Sequence, residues 1–347
     1  MKLNPLGQTG LMVSELCLGT MTYGTQTPEA DAHIQIDYAL DHGVNFVDTA
    51  EMYPVNPVAK ETIGRTEEII GNWFEKTGRR EDVILATKHS GEGLQAVRDG
   101  APISKETIAA TVEGNLRRLK TDYIDLYQFH WPNRGSYMFR KNWTYDPSVQ
   151  NKTETLDNML ECLEELQKLV DKGKIRAFGL SNESAWGTAQ WLRISEGRGL
   201  PRVASIQNEY SLLCRLYDTD LAELSVNEKV GLLAFSPLAA GYLTGKYQDD
   251  AVPDHSRITL QPQMGGRNTD RVRPAVAAYL KVAQKHGLDP VHMALAFCFQ
   301  RPFMASVIFG ATTQTQLEHA LKAQDIVLSD EVMVDIDVAH RAHAMPY

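Results

Sequence analysis

Eight short apolar runs, separated by segments of helical period, constrain the fold of this chain more than any other feature. The candidate strands are residues 15–18, 44–48, 83–88, 123–129, 175–180, 203–207, 231–235 and 305–309. Strands that alternate with helices pair in parallel with right-handed crossovers, which leaves an open doubly wound sheet or a closed (β/α)8 barrel. The count of eight favours the barrel, and so does the lack of a G-x-G-x-x-G segment after any strand.

Helical period is clearest in two of the intervening segments. One carries an apolar stripe and is followed by Gly173, a favoured residue just beyond a helix C-terminus. The stripe consists of Leu156, Met159, Leu160, Leu163, Leu166 and Val170. The other segment follows Ser104, a favourable N-cap. Its inner face consists of Ile108, Val112, Leu116 and Leu119.

The ends of the chain and its irregular stretches complete the predicted architecture. The N-terminal stretch is typical of a small β-hairpin that turns at Gly7 to Gly10, and a C-terminal helix carries His340 and His343. We therefore predict one barrel domain over residues 1–347, of α/β class, with an N-terminal hairpin and a C-terminal helix. The irregular stretches 133–151 and 248–268 follow the fourth and seventh strands, on the side where barrels place their active sites.

Composition excludes several classes of function. The formal net charge of −9 disfavours a nucleic-acid surface, and no apolar run approaches the roughly 20 residues that span a bilayer. The first residues, MKLNPLGQTGLMVS, lack the apolar region of a signal peptide. The cysteines show neither a CxxC pair nor a zinc spacing, which indicates reduced thiols in a cytoplasmic protein and predicts no metal site. They are Cys17, Cys162, Cys214 and Cys298.

Four polar residues stand at or just after the ends of successive candidate strands. Asp48 ends the second strand, Lys88 ends the third, His130 follows the fourth, and Tyr53 comes shortly after Asp48. In a barrel all four meet at the C-terminal rim, where Lys88 can neutralise the otherwise costly buried Asp48. We expect the lysine to lower the pKa of the Tyr53 phenol, ordinarily about 10, and His130 to orient a carbonyl oxygen. This arrangement can protonate the oxygen that becomes negative when hydride adds to an aldehyde or ketone.

Several ordered motifs give the sequence a family resemblance. They are GTMTYG, VDTAEMY, ATK, YQFHWP, GLSN, IQNEYSLL, FSPLAAGYLTGKY and GATTQTQLEHAL. From the hairpin to about residue 325 the chain resembles the aldo-keto reductases, especially their bacterial Tas-type members, and is related to voltage-gated potassium channel β subunits. The resemblance implies that Tyr53 is the general acid and that Asp48, Lys88 and His130 complete a catalytic tetrad. It also implies NADPH, bound extended across the barrel mouth without a Rossmann domain.

The resemblance assigns cofactor contacts residue by residue. They are Ser181, Asn182 and Gln207 at the nicotinamide carboxamide; Phe235 at the nicotinamide ring; Ser236, Leu238 and Gly241 at the pyrophosphate; Lys246 and Arg257 at the 2′-phosphate; Thr312 and Gln316 at the adenosine phosphate; and Gly19, Thr20, Met21, Gln26, Asp48, Pro237 and Gly310 elsewhere along the cofactor. The chain departs from the family at three positions. Thr313 replaces a residue that is often basic, and His319 and Ala320 replace the usual Glu-Asn at adenine.

Three functions compete at this stage. The first is an NADPH-dependent reductase of aldehydes or ketones, and the second is a cofactor-sensing subunit that docks on a partner as channel β subunits do. His130 favours the enzyme, because those subunits tend to lose this histidine. The third is a barrel isomerase or lyase with Lys88 as a Schiff-base amine, which Asp48 disfavours by keeping the lysine protonated and non-nucleophilic.

Aromatic residues dominate the candidate substrate loop. Residues 133–151 bring Tyr137, Phe139, Trp143 and Tyr145 towards the predicted mouth. An aromatic pocket suits apolar or ring-bearing carbonyl compounds, although the same side chains serve equally well to pack the loop onto the barrel. The expected substrate contacts are Tyr53, His130, Trp131 and Trp143.

Overall fold

A closed barrel of eight parallel strands forms the centre of the structure, a computed structural model that describes residues 1–347. The strands of the chain are β1 Leu3–Pro5, β2 Met12–Ser14, β3 Leu16–Gly19, β4 Phe46–Asp48, β5 Ile84–His89, β6 Ile124–Phe129, β7 Ile175–Ser181, β8 Val203–Glu209, β9 Gly231–Phe235 and β10 Met304–Phe309. Around the barrel the order is β10-β3-β4-β5-β6-β7-β8-β9. The predicted (β/α)8 barrel is thus confirmed, and the open sheet is excluded.

Helices connect successive barrel strands and cover their outer surface. They are α1 Glu29–Asp41, α2 Arg65–Thr77, α3 Lys105–Leu119, α4 Lys152–Asp171, α5 Ala185–Arg198, α6 Asp220–Glu228, α7 Arg257–Leu260, α8 Val272–Lys285, α9 Pro290–Phe299, α10 Gln314–Leu321 and α11 Asp330–Ala342. None of them is both long and apolar enough to cross a membrane.

The two predicted helices form where the sequence placed them. The amide of Ser104 at the start of α3 donates to Thr107 Oγ1 at 3.0 Å, as in a capping box. Helix α4 is followed by Gly173, whose φ of 69° is the left-handed conformation that glycine adopts most readily. The buried face of α4 is rotated slightly from the predicted stripe, because Cys162 and Leu169 are buried whereas Leu160 is only partly so.

The inside of the barrel is apolar at one end and polar at the other. Side chains alternate along each strand, so a residue two positions further on faces the same way. Phe46 in β4 and Ala86 in β5 belong to a buried cluster of small and apolar side chains inside the barrel. Asp48 and Lys88 follow them by two positions and therefore continue the interior face towards the C-terminal end.

The N-terminal hairpin contributes to the apolar end. Strands β1 and β2 pair antiparallel as predicted, and Leu6, Leu11 and Val13 join the interior cluster. Gly7 has a φ of 56°, and a Cβ atom at this position would lie 2.5 Å from the carbonyl oxygen of Ala204 in β8. Only glycine fits both the backbone conformation and the space. The hairpin therefore packs closely against the barrel.

The four cysteines are free thiols, as their spacing predicted. Three of them are buried, and Cys214 is partly so. Burial raises the pKa of the Cys17 thiol well above its usual value, which keeps it protonated and unreactive.

Candidate active site

Asp48 and Lys88 form a buried ion pair at the C-terminal end of the barrel. Lys88 Nζ donates to Asp48 Oδ2 at 2.5 Å and to the carbonyl oxygen of Thr49 at 2.8 Å. The exposed fractions are 0% for Lys88 and 2% for Asp48. Burial alone would lower the pKa of Lys88, but Asp48 and Tyr53 outweigh it and raise the pKa above its usual value. The lysine is therefore a charged ammonium, which argues against a Schiff-base role.

Two glutamines hold the other oxygen of Asp48. Gln207 Nε2 and Gln128 Nε2 donate to Asp48 Oδ1 at 2.8 and 3.2 Å, and Gln207 also donates to Gln128 Oε1. Gln207 was expected at the nicotinamide carboxamide, whereas in this structure its amide orients Asp48. Gln128 was missed by the sequence analysis. A polar residue inside the otherwise apolar strand β6, one interior position after Leu126, is the signal that could have identified it.

Tyr53 lies beside the ion pair, but the net shift of its pKa differs from our prediction. The Lys88 ammonium lies 5.0 Å from the centroid of the Tyr53 ring. Burial of the phenol raises its pKa above 10.0, and the lowering by Lys88 does not outweigh burial. The expected net lowering is therefore wrong for this structure. The phenol stays protonated across the neutral range, with Lys88 limiting how weak an acid it becomes.

His130 follows β6 and lies close to Tyr53. The ring centroids of the two residues are 6.0 Å apart, with the rings edge to face. Burial and the charge of Lys88 lower the pKa of His130 well below 6.5, so the imidazole is neutral at neutral pH. Its Nδ1 is buried without a hydrogen-bond partner. A neutral imidazole can donate an N–H to a carbonyl oxygen without competing for the proton of Tyr53.

The residues expected around the nicotinamide carboxamide lie next to this group. Asn182 Nδ2 donates to the carbonyl oxygen of His130 at 2.9 Å, and Ser181 Oγ donates to that of Gln207 at 2.8 Å. Asn182 has a φ of 53°, a left-handed conformation that is uncommon for residues other than glycine. Its Oδ1 is buried and has no partner in the protein. This free acceptor matches the amide donor of a carboxamide.

The ends of β3 and β10 form the neighbouring part of the rim. Thr20 Oγ1 donates to the carbonyl oxygen of Asp48 at 2.8 Å, which ties the end of β3 to β4. Gly19 and Gly310 lie close together, since a Cβ on Gly310 would be 3.4 Å from the oxygen of Gly19. Met21 and Gln26 lie in the turn after β3 and are partly exposed.

The loop after β9 has the compact backbone expected of an anion site. Phe235 ends the strand, and Ser236, Ala239 and Ala240 have φ values of 55°, 48° and 58°. Gly241 follows with a φ of 96°. A turn that mixes right- and left-handed residues can direct successive backbone N–H groups towards one side and form a concave binding site for an anion. Pro237 is buried within this turn and Leu238 is partly exposed.

The two predicted 2′-phosphate cations differ in their surroundings. Lys246 is exposed, and its ammonium lies 5.1 Å from the Tyr247 ring. Burial, together with Arg267 and Arg140, lowers the pKa of Arg257 to about 10, and its Nε is buried without a partner. Arg257 also lies close enough to Tyr53 to lower the pKa of the phenol. Its guanidinium is therefore within electrostatic range of the Tyr53 phenol.

The start of α10 explains one departure from the family pattern. Thr313, which replaces a residue that is often basic, is the N-cap of α10 and accepts from the amide of Gln316 at 3.3 Å. Thr312 donates through its amide and hydroxyl to Gln316 Oε1. His319 contacts Asp289 at 3.1 Å, and Ala320 is buried.

The aromatic residues of the loop after β6 are only partly brought to the site. Trp131 lies 5.0 Å from the His130 ring and 6.4 Å from Phe139, measured between ring centroids. Tyr137 and Tyr145 lie near each other, at 6.5 Å. Trp143 is 62% exposed, so the structure leaves this expected substrate contact on the surface. Side-chain direction within an irregular loop is not encoded in the spacing of its aromatic residues.

A charge network at the mouth was also missed. Glu209, at the end of β8, accepts from Arg140 at 2.7 Å and from Arg267 at 2.8 Å. The Tyr347 hydroxyl lies 3.4 Å from the same carboxylate, and Arg267 approaches Ser236 Oγ at 3.4 Å. The network joins the loop after β6, the loop after β9 and the last residues of the chain. Arginines 127 positions apart in sequence give no local signal of such a contact.

One further group of side chains could in principle hold a metal ion. Asp289, His292 and His319 place possible ligand atoms within 4.8 Å of one another. Their hydrogen bonds account for the arrangement, because Asp289 caps α9 and accepts from His319, and His292 Nε2 contacts the carbonyl oxygen of His319.

Comparison with known proteins agrees with this geometry. The profile of the aldo/keto reductase family matches residues 15–341. The chain is 43% identical to "Protein tas" of Escherichia coli (strain K12), over 100% of this chain and 99% of that protein. It is 33% identical to "Uncharacterized oxidoreductase YrpG" of Bacillus subtilis (strain 168), over 94% and 92%. It is 31% identical to "Probable voltage-gated potassium channel subunit beta" of Arabidopsis thaliana, also over 94% and 92%. The chain belongs to the aldo/keto reductase family and is related to oxidoreductases over nearly its whole length.

Proposed function

We propose that this protein is an NADPH-dependent reductase that converts aldehydes or ketones to alcohols. The observation that carries the proposal is the buried Asp48–Lys88 pair, with Tyr53 on one side and His130 close to Tyr53 at the barrel mouth. The group combines a proton donor, a fixed cation and a neutral hydrogen-bond donor within a few ångströms. These are the elements needed to stabilise and protonate a developing alkoxide.

Each of the four residues has a distinct part in moving the proton. Tyr53 gives its phenolic proton to the carbonyl oxygen as negative charge develops there. Lys88 stabilises the phenolate that remains, and Asp48 holds the ammonium in place. His130, neutral because of its lowered pKa, donates an N–H to the same oxygen and sets the direction of the carbonyl group.

The residues at the mouth suit a nicotinamide dinucleotide. When bound, the cofactor supplies the hydride that adds to the carbonyl carbon. Asn182 has a buried Oδ1 without a partner, and Arg257 has a buried Nε without one, so both groups lack a contact that an amide and a phosphate would provide. In the turn from Ser236 to Gly241 the amides of Ala239 and Gly241 are bonded within the turn, which leaves the N–H groups of Leu238 and Ala240 for the pyrophosphate.

The preference for NADPH rests on Lys246 and Arg257. Neither forms an ion pair with a carboxylate, and both belong to the segment after β9 that includes the pyrophosphate turn. Two cations without carboxylate partners attract an anion of high charge, even though the protein as a whole is acidic.

The test is turnover of NADPH with a panel of aldehydes and ketones, in wild type and in Tyr53→Phe. The variant removes the proton donor and little volume, so kcat should fall by roughly 10² or more while NADPH affinity hardly changes. Tyr38→Phe, which alters a tyrosine stacked on His42 in α1, is the matched control and should behave as wild type. Near-normal turnover in Tyr53→Phe would refute the assignment. Tight NADPH binding without turnover of any carbonyl compound would favour the cofactor-sensing subunit instead.

A further inference from the structure

Glu51 is a buried carboxylate at the catalytic end of the barrel that the proposed reaction does not use. It precedes Tyr53 by two residues and is only 4% exposed. A buried ion pair generally brings little net stability compared with apolar residues of similar size. Stability alone therefore does not explain a carboxylate at this position, whereas its hydrogen bonds to neighbouring segments do.

The contacts of Glu51 join the turn that carries Tyr53 to the strand that carries Lys88. The Glu51 amide donates to the carbonyl oxygen of Lys88 at 3.2 Å. The amide of Ser90 donates to Glu51 Oε1 at 2.5 Å. Both hydrogen bonds are made to backbone groups that directly follow the Lys88 side chain, its own carbonyl and the amide two residues later. They fix where the Tyr53 turn lies relative to the lysine.

The second oxygen of the carboxylate holds the loop after β5. Arg98 Nη1 donates to Glu51 Oε2 at 2.5 Å, and Arg98 Nη2 donates to the carbonyl oxygen of Ser90 at 2.9 Å. Arg98 and Asp99 have φ values of 47° and 51°, which non-glycine residues seldom adopt. Strained backbone of this kind persists where surrounding contacts hold it, often near functional sites. The Glu51–Arg98 pair is such a contact.

The same loop also contacts the segment that carries His130. Trp131 Nε1 donates to the carbonyl oxygen of Glu92 at 3.0 Å. A Cβ on Gly91 would lie 2.4 Å from the Trp131 indole, so the two segments are in close contact. The loop after β5 therefore touches the neighbours of both Tyr53 and His130. Its position is coupled to the geometry of both groups.

We propose that Glu51, paired with Arg98, is a positioning residue that sets the distance between the Tyr53 phenol and the Lys88 ammonium. The inference rests on the proposed role of Tyr53 as proton donor. Without the charge on Glu51, Arg98 loses its partner and the turn is free to move relative to β5. A displacement of about 1 Å in a catalytic group costs on the order of 10²-fold in rate.

The test compares Glu51→Gln, Glu51→Ala and Arg98→Met with wild type. Each variant should lower kcat by roughly ten- to a hundredfold, with KM and NADPH affinity nearly unchanged. The alkaline limb of the kcat/KM profile should move as well, because the phenol is no longer at its fixed distance from the ammonium. Glu51→Gln keeps an oxygen for the Ser90 amide and should lose less than Glu51→Ala. The double variant Glu51→Gln with Arg98→Met should lose less than the product of the single losses, since the two side chains act as a unit.

Glu67→Gln is the matched control. Glu67 is also fully buried and paired with an arginine, Arg118, and it accepts from Thr87, the residue before Lys88. Thr87 faces the outside of the barrel, so this variant should lower Tm without changing kcat or the pH profile. Folded Glu51 variants with wild-type kcat, or an equal loss of kcat in Glu67→Gln, would overturn the inference. Tyr53→Phe measured alongside separates the two levels: if it stays active the proposed function fails, and if it is inactive while Glu51→Ala is normal only the positioning role fails.

Discussion

Two electrostatic effects act in opposite directions on the pKa of Tyr53. Burial raises the pKa of the phenol by disfavouring its charged form, and the Lys88 ammonium lowers it by stabilising that form. The position of Lys88 could be inferred from the sequence, but the extent to which Tyr53 is buried could not. Burial determines the net direction of the shift in the pKa of Tyr53. Without the Lys88 ammonium the pKa of the phenol would be higher still, and the phenol would be a weaker acid.

Lys88→Met tests this balance at the level of one residue. Loss of the ammonium should raise the pKa of Tyr53 further, so the alkaline limb of kcat/KM should shift to higher pH while the rate at neutral pH falls sharply. Lys174→Met removes a cation that pairs with Glu113 on the outer surface, and it should change neither. An active Lys88→Met enzyme with an unshifted pH profile would show that the ammonium does not assist Tyr53.

Strand β5 carries side chains that face the inside of the barrel and side chains that face the surrounding helices. Lys88 faces the inside of the barrel, whereas Thr87 contacts Glu67 behind it. His89 contacts Thr107 of α3 through Nε2 at 3.1 Å, and its Nδ1 lies 3.1 Å from an Arg98 nitrogen. Burial lowers the pKa of His89 from 6.5 to about 4. The strand is thus held on both faces by polar contacts. One of the contacting groups, the His89 imidazole, becomes protonated in acid.

His89 should therefore make the stability of the protein depend on pH. Its pKa is lower in the folded than in the unfolded state, so the unfolded state binds more protons between about pH 4 and pH 6.5. Stability is complete above pH 6.5 and decreases as pH falls towards 4, by up to about 3 kcal/mol at roughly 1.4 kcal/mol per pH unit. Denaturant unfolding of wild type and His89→Gln across this range measures the effect. The variant should show a smaller decrease on acidification, and equal slopes would contradict the assignment.

The segment after β9 carries the prediction of cofactor choice. Replacing both cations, as Lys246→Ala with Arg257→Ala, should weaken NADPH binding while leaving NADH binding nearly unchanged. A charge-assisted contact contributes about 1.5–3 kcal/mol, or roughly 10- to 150-fold in affinity. Titration of each cofactor by fluorescence quenching measures both affinities.

A control variant and two contrary outcomes complete this test of cofactor choice. Lys168→Ala with Arg202→Ala removes the same charges from surface ion pairs and should affect neither cofactor. Equal losses for NADPH and NADH in the double variant would show that Lys246 and Arg257 do not recognise the 2′-phosphate. A wild type that binds both cofactors equally would show the same.

At the scale of the whole molecule, the sequence predicted the features that follow a regular pattern along the chain. It missed the side-chain contacts that depend on tertiary packing. The barrel follows from eight apolar runs, and the candidate tetrad follows from polar residues at the ends of strands, because parallel strands bring those ends together. The support of Asp48 by Gln128, the Glu51–Arg98 pair and the Glu209 network could not be read in the same way. They join side chains from different loops, whose directions are set by tertiary contacts rather than by any period in the sequence.

The close fit of the hairpin against the apolar end of the barrel has a consequence for the evolution and engineering of this chain. Gly7 of the hairpin packs against Ala204 at the start of β8, whereas the candidate catalytic residues lie at the C-terminal ends of the barrel strands. A single added methyl group at Gly7 has no room, whereas exposed positions of loop 133–151, such as Trp143 and Val149, can change with little effect on the core. Libraries intended to change the substrate range should therefore be confined to exposed positions of the mouth loops, with the hairpin left untouched.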